Sequence, residues 1–174
     1  MTDYLIYEKR RKLLASNMHE NSIAIIEASP EKIRNNDSTY RYRQCSNFYY
    51  LTGYNKSGAI LVVQKKTNNV ISHFYSKKPN KYDSVWTGDL LTCKKISTTF
   101  GFDKTEYLDN FEKALNMFLR KSDLIYHSLN KSSPTSNMLE KCIYNIERDY
   151  RKGAQLPSSQ YSIKKILEEG FGKF

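Results

Sequence analysis

Apolar and polar positions along the chain follow two periods, one typical of strands and one typical of helices. Five segments are continuous apolar runs or are rich in β-branched and aromatic residues, and we predict them to be strands: residues 23–26, 48–51, 59–63, 70–75 and 124–126. A polar turn at residues 65–69 separates two of them, which predicts a hairpin. The polar stretch at residues 31–41 has the composition of a loop.

Periodic spacing of apolar residues predicts five helices: residues 4–18, 90–100, 109–119, 134–152 and 162–169. On the first helix, four apolar side chains share one face and are expected to be buried: Ile6, Leu13, Leu14 and Met18. Asp109 is expected to cap the third helix, and Gly101 and Gly153 are expected to end the second and the fourth. The mixture of strands and helices predicts the α/β class, with a mixed β-sheet flanked by helices on both faces.

The charge of the chain is high but evenly distributed. The 174 residues include 28 Lys and Arg against 18 Asp and Glu, which gives a formal charge of +10. Each third of the sequence carries an excess of only three or four positive charges. Because binding driven by counterion release needs clustered cations, this spread favours a solvated basic surface, and we expect no nucleic-acid partner. A basic nucleic-acid binder stays open as a third hypothesis.

The residues offer no self-sufficient active site. The three histidines (His19, His73 and His127) are isolated, none forms a zinc-type pair, and no glycine-rich phosphate loop occurs. The three cysteines lie far apart, which is typical of reduced cysteine inside the cell. No apolar stretch approaches the roughly 18 residues of a membrane span, and no signal peptide is visible. We therefore expect a cytoplasmic protein that does not bind membranes.

The most distinctive segment begins with an R-N-x-D loop at Arg34. It continues through the pair Arg43 and Gln44 into the run F-Y-Y-L-T-G, which ends at Gly53. Downstream, a W-x-G motif begins at Trp86. This combination closely resembles the N-terminal, creatinase-like domain of Xaa-Pro aminopeptidases (aminopeptidase P).

The resemblance extends over about residues 5–160 and includes the basic start of the first helix, residues 9–13, which is similar to an R-R-x-x-L motif. It implies the creatinase-type fold with ribonuclease H-like topology. It also implies a domain of residues 1–160, followed at residues 161–174 by the start of a linker toward an absent C-terminal metallopeptidase domain.

The resemblance further implies a function. The chain would be the non-catalytic N-terminal domain of an enzyme that removes the N-terminal residue before proline. In this family the C-terminal domain holds two manganese-type ions through carboxylate and histidine ligands. This chain has no candidates for those ligands, so we expect no cofactor in it and no activity of the chain alone. The alternative is a stand-alone creatinase-like module that binds other proteins.

Implied partners are the chain's own C-terminal peptidase domain, like subunits in a homo-oligomer and, in the intact enzyme, a proline-containing peptide. The resemblance marks two positions, Asp37 and Trp86, as substrate-covering or intersubunit residues. Asp37 can equally form an Asx turn in its own loop, and Trp86 can cap a core. The remaining motif residues are expected to be structural: Arg34, Arg43, Gln44, Tyr50, Gly53 and Gly88.

Two of these structural expectations are specific. Arg43 and Gln44 adjoin the predicted strand at residues 48–51, and we expect them to bind loop carbonyl groups. Successive residues of a strand point to opposite faces, so at least one of Tyr49 and Tyr50 is expected to lie in the core.

Overall fold

Strands and helices are interspersed along the chain. The computed structural model describes residues 4–35, 38–67, 69–79, 92–128 and 133–151. The described helices are α1 (Tyr4–Ser16), α2 (Ser46–Thr52), α3 (Cys93–Phe100), α4 (Phe111–Lys121) and α5 (Pro134–Arg151). The described strands are β1 (Ser22–Glu27), β2 (Ile33–Asn35), β3 (Ser38–Thr39), β4 (Ala59–Lys66), β5 (Asn69–Ser76), β6 (Lys104–Tyr107) and β7 (Leu124–His127).

Five of the strands form one mixed sheet in the order β6-β5-β4-β1-β7. The centre is antiparallel: β1 pairs with β4, with Ile25 opposite Val62, and β4 pairs with β5, with Val62 opposite His73. At the two edges β7 runs parallel to β1, and β6 runs parallel to β5. The predicted hairpin and the predicted mixed sheet are both confirmed.

Helices cover both faces of the sheet, as predicted. Alternate side chains of each strand point to opposite faces. Ile23, Ile25, Val62 and Tyr75 pack with apolar residues of α4 and α5 on one face. On the other face, strand residues pack with α1, α2 and α3: Ala24, Leu61, Val63 and Phe74. Each central strand is therefore buried on both sides, which explains its continuous apolar run.

The prediction of a strand at residues 48–51 is wrong, because this segment is helix α2. Phe48, Leu51 and Thr52 point inward at the spacing i, i+3, i+4. The hydroxyl of Thr52 donates to the Phe48 carbonyl at 2.7 Å, and Gly53 ends the helix in the left-handed conformation. These local contacts outweigh the strand preference of the aromatic residues, which is a weak and context-dependent one.

The predicted buried face of α1 is half right. Met18, just beyond the helix end, is buried and Leu14 packs half-buried against the same cluster, as predicted, but Ile6 and Leu13 are 44% and 60% exposed. Arg11, only 2% exposed, and the fully buried Ala15 face inward instead. The Arg11 guanidinium donates to the carbonyl oxygens of Leu51 at 3.0 Å and Phe100 at 3.3 Å, and it also donates to that of Gly101. It lies 4.6 Å from the centroid of the Phe102 ring. These contacts orient α1 so that a charged residue faces inward beside Leu14 and Ala15.

Three smaller predictions need correction. The stretch predicted as a loop at residues 31–41 contains a two-stranded sheet of β2 and β3. Strand β6 was not predicted, because this edge strand is polar and only half-buried. Asp109 does not cap α4, since it lies in a 3-10 turn, Leu108–Asn110, that precedes the helix.

Other predictions fall partly outside the described residues. Helix α3 begins at Cys93 with Thr92 as its cap, and it ends at Gly101 as expected. The predicted start of that helix at residue 90, Gly153 and the predicted helix at residues 162–169 lie outside the described residues. Among the described helices, none is long and apolar enough to cross a membrane.

We predict that Arg11→Met lowers the free energy of unfolding by about 3 kcal/mol, because it leaves carbonyl groups at the ends of two helices without a donor. Urea denaturation followed by circular dichroism measures the change. Lys12→Met is the matched control, since Lys12 is exposed and forms a surface ion pair with Glu8. Equal stability of the Arg11→Met variant and the wild type would contradict the structural role.

His73 predicts a specific loss of stability in acid. Its ring is 6% exposed, lies edge-on to Phe118 at 4.8 Å, and has a pKa lowered to about 4, chiefly by burial and then by the Lys104 charge. Asp103 opposes and Lys66 reinforces this lowering of the His73 pKa. His73 takes up a proton near pH 6.5 in the unfolded chain but only near pH 4 in the folded chain. The free energy of unfolding therefore falls as the pH drops from about 6.5 toward 4.

The loss should approach about 3 kcal/mol, since each pKa unit corresponds to about 1.4 kcal/mol. Urea denaturation at a series of pH values should show this fall in the wild type and a flatter profile in His73→Leu. His19→Leu, which alters an exposed histidine, should keep the wild-type profile. Identical profiles for wild type and His73→Leu would show that His73 does not cause the effect.

Candidate functional site

The side chain of Gln44 makes four hydrogen bonds that connect separate parts of the motif segment. Gln44 is buried, and its Oε1 accepts from the backbone N–H groups of Ser29 at 2.8 Å and Cys45 at 2.9 Å. Its Nε2 donates to the carbonyl oxygens of Tyr54 at 3.1 Å and Lys56 at 3.0 Å. One amide therefore fixes the segment after β1, the start of α2 and the turn that leads to β4.

The C-terminal end of α2 requires a glycine. Gly53 has φ of 68°, and its N–H donates to the Tyr49 carbonyl at 2.8 Å. This left-handed conformation ends the helix. A Cβ at this position would also overlap the ring of Tyr7 on α1. The glycine of the F-Y-Y-L-T-G run thus allows α1 and α2 to approach closely.

Two neighbouring arginines of α1 bind the last turn of α2. Arg10 donates from Nη1 to the Tyr50 carbonyl at 3.1 Å, while Arg11 donates to that of Leu51. The Arg10 guanidinium also lies over the Tyr50 ring, 4.1 Å from its centroid, and 5.5 Å from the centroid of Tyr7. Contacts of a cation with an aromatic face are favourable and hold Arg10 in one orientation.

A surface depression of about 470 Å³ opens between α1 and α2. We call it the arginine–tyrosine depression, and its lining consists of two arginines, three tyrosines and three uncharged polar residues: Arg10, Arg43, Tyr42, Tyr49, Tyr50, Gln44, Ser46 and Asn55. None of these lining residues is acidic. Arg43 is exposed and makes no hydrogen bond or ion pair with the described part of the chain.

Tyr42 forms a fixed wall of the depression. Its hydroxyl donates to the Ser29 carbonyl at 3.0 Å. Burial, followed by the nearby Glu31 charge, raises the pKa of Tyr42 to about 12, so the phenol keeps its proton at neutral pH. The hydroxyl therefore remains a donor, and the ring does not change its charge.

The structure brings together four of the predicted motif residues and leaves a fifth apart. Arg43, Gln44, Tyr50 and Gly53 surround α2, whereas Arg34 lies on β2, exposed, with its guanidinium 6.0 Å from the Tyr40 ring centroid. Gln44 binds loop carbonyl groups, and no such bond forms from Arg43 within the described residues. Three predicted site residues lie outside the described residues: Asp37, Trp86 and Gly88.

The expectation of a buried tyrosine in the F-Y-Y-L-T-G run is wrong. Tyr49 and Tyr50 are 46% and 49% exposed, because both lie on the outer side of a helix rather than on opposite sides of a strand. Sequence reasoning also missed the roles of Arg10 and Arg11. The sequence signal lay in the resemblance of residues 9–13 to the R-R-x-x-L motif, because spacing alone does not show which carbonyl groups a guanidinium reaches.

The described residues contain no group of three or more His, Cys, Asp or Glu side chains that could hold a metal ion.

We predict that Gln44→Leu lowers the free energy of unfolding by about 3 kcal/mol, because four backbone groups lose their partner and the buried ones stay unsatisfied. Thermal and urea denaturation measure the change. Asn47→Leu is the matched control on the exposed side of α2 and should change stability by less than about 0.5 kcal/mol. Equal effects of the two substitutions would contradict the stabilising role of the four Gln44 hydrogen bonds.

The sequence of this chain is similar to those of known proteins. Residues 7–126 match the family described as aminopeptidase P, N-terminal domain. The Xaa-Pro aminopeptidase of Escherichia coli is 26% identical over 165 residues, which cover 94% of this chain and 37% of that enzyme. The chain thus spans well under half the length of this relative.

Solved structures agree with the sequence match. The low-pH form of E. coli aminopeptidase P superposes with a TM-score of 0.82 at 24% identity, over 97% of this chain and 39% of that one. Proline aminopeptidase P II from Yersinia pestis gives 0.80 at 28% identity, over 95% and 38%. Since the family match covers most of the chain, the protein belongs to the aminopeptidase P N-terminal domain family.

Proposed function

We propose that this chain serves as the non-catalytic N-terminal domain of a Xaa-Pro aminopeptidase, which in its intact form removes the N-terminal residue before proline. The observation that carries the proposal is the match to the E. coli Xaa-Pro aminopeptidase, which covers 94% of this chain but only 37% of that enzyme. The chain corresponds to the part that the family description names an N-terminal domain. We assign the domain to residues 1–160 and the start of a linker to residues 161–174.

The peptidase chemistry is assigned to a C-terminal partner domain. Metal-assisted hydrolysis requires bound ions that lower the pKa of water, and each ion needs several ligands gathered in space. We place the two divalent, manganese-type ions in that domain and no cofactor in this chain. A cytoplasmic location, as expected from the sequence, completes this assignment.

The role of this domain is then to shape and cover the substrate site and to contact like subunits. Asp37 and Trp86 are the residues we assign to it. A tryptophan on a loop supplies a rigid apolar wall for a proline ring. A carboxylate on a loop suits the free α-amino group of a peptide or an arginine of a neighbour. Both assignments come from the family resemblance of their motifs.

We predict that the purified 174-residue chain releases no N-terminal residue from Xaa-Pro peptides in the presence of manganese, because its match spans only 37% of the E. coli enzyme, in the part described as the N-terminal domain. Chromatographic detection of the released amino acid measures this, with E. coli Xaa-Pro aminopeptidase as the positive control. Metal-dependent turnover that stays with the chain through purification would overturn the proposal.

A chimaera tests the positive side of the proposal. Residues 1–160 replace the corresponding part of the E. coli enzyme, and the chimaera should retain Xaa-Pro cleavage. In this chimaera, Trp86→Ala should lower kcat/KM by about tenfold, which is the size of effect expected when one apolar contact with the substrate is lost. Tyr144→Ala, on the exposed side of α5, is the control and should leave kcat/KM unchanged. Equal activities of both variants would contradict the role of Trp86.

A further inference from the structure

The arginine–tyrosine depression has the composition of a protein-binding site. Five of its eight lining residues are arginine or tyrosine, the types that dominate the energetics of protein–protein interfaces. Tyr49 and Tyr50 are half exposed on its rim and present broad ring surfaces to solvent. Tyrosine contributes contact area with little loss of conformational freedom, since it has only two flexible side-chain torsions.

The positive charge of the depression favours a negatively charged ligand. It holds two guanidinium groups, and none of its described lining residues is acidic. Arg43 is exposed and makes no hydrogen bond or ion pair with the described residues, so its planar fork of donors is available. Guanidinium groups bind carboxylates in a bidentate manner, with charge-assisted hydrogen bonds.

The walls of the depression are held rigidly before any partner arrives. Gln44 makes four hydrogen bonds, Tyr42 is fixed to the Ser29 carbonyl, and Arg10 is fixed to the carbonyl and the ring of Tyr50. A preorganised surface loses little entropy on binding, which favours affinity.

From this geometry we propose that the arginine–tyrosine depression docks an acidic segment of a partner protein, with a carboxylate on Arg43 and apolar contact on Tyr49 and Tyr50. The inference goes beyond the proposed function, because it does not depend on peptidase activity.

Other occupants fit less well. The Arg10 guanidinium covers one face of the Tyr50 ring at 4.1 Å, so this ring offers a poorer platform for the base stacking that single-stranded nucleic acids use. A free anion would leave the exposed rings of Tyr49 and Tyr50 uncovered. A second copy docked through the same depression would bring two further guanidinium groups to it, and this like-charge repulsion opposes self-association at this surface.

The test is a titration of the isotope-labelled chain followed by nuclear magnetic resonance. The probe is a decaglutamate peptide, with decaglutamine, inorganic phosphate and decauridylate in parallel. We expect decaglutamate to shift resonances of the depression, Ser46 and Asn55 among them, and the other three compounds to leave them unchanged. Raising the salt to about 0.3 M should weaken the binding by screening the charges.

Substitutions localise the site. Arg43→Ala should weaken decaglutamate binding by about fivefold, and Arg43→Lys should weaken it less, because the charge remains but the fork of donors is lost. Lys94→Ala, which removes an exposed cation on α3, is the matched control and should have no effect. The spectrum of each variant confirms that it is folded.

Several outcomes would overturn the proposal. These are the absence of shifts with decaglutamate, equal weakening by Lys94→Ala and Arg43→Ala, comparable binding of phosphate or decauridylate at the depression, and concentration-dependent self-association through it. None of these outcomes bears on whether the chimaera cleaves Xaa-Pro peptides, so the two proposals fail independently.

Discussion

The helical layer over one face of the sheet depends on the buried guanidinium of Arg11. A single group on α1 binds carbonyl oxygens at the ends of α2 and α3, so three helices share one charged centre. Burial lowers the pKa of Arg11 to about 10, yet the group stays charged at neutral pH. Because Arg10 directly precedes Arg11 on α1, the same packing places Arg10 over Tyr50, where it forms one wall of the depression.

Sequence patterns located most strands of the sheet and most of the described helices, but they missed strand β6 and helix α2. Continuous apolar runs identify β1 and β4, because a strand buried on both faces needs apolar residues at every position. The strand predicted at α2 was wrong because local hydrogen bonds and the left-handed Gly53 favour a helix there. On α1, the predicted face was wrong at Ile6 and Leu13, because Arg11 turns inward to bind carbonyl groups of α2 and α3. Neither residue preference nor periodicity contains such distant hydrogen bonds.

In the candidate site, too, some features could be predicted from the sequence and others could not. The motif resemblance pointed to Gln44 and Gly53, and the structure explains both, one through its four hydrogen bonds and the other through its left-handed backbone. The contribution of Arg10 and Tyr42 to a depression could not be predicted from spacing, because they lie on different elements and meet only through the packing of α1 against α2. Family membership gives the fold, and the surface chemistry has to be read from the individual side chains.

Amide hydrogen exchange in an Arg11→Lys variant tests most directly whether one residue holds the helical layer together. We predict that amides at the ends of α2 and α3, such as those of Gly53 and Gly101, lose protection together, since a lysine cannot reach carbonyl groups of both helices. Amides of β4 in the centre of the sheet should keep most of their protection. Unchanged exchange at Gly53 and Gly101, or loss in only one of the two helices, would contradict the claim.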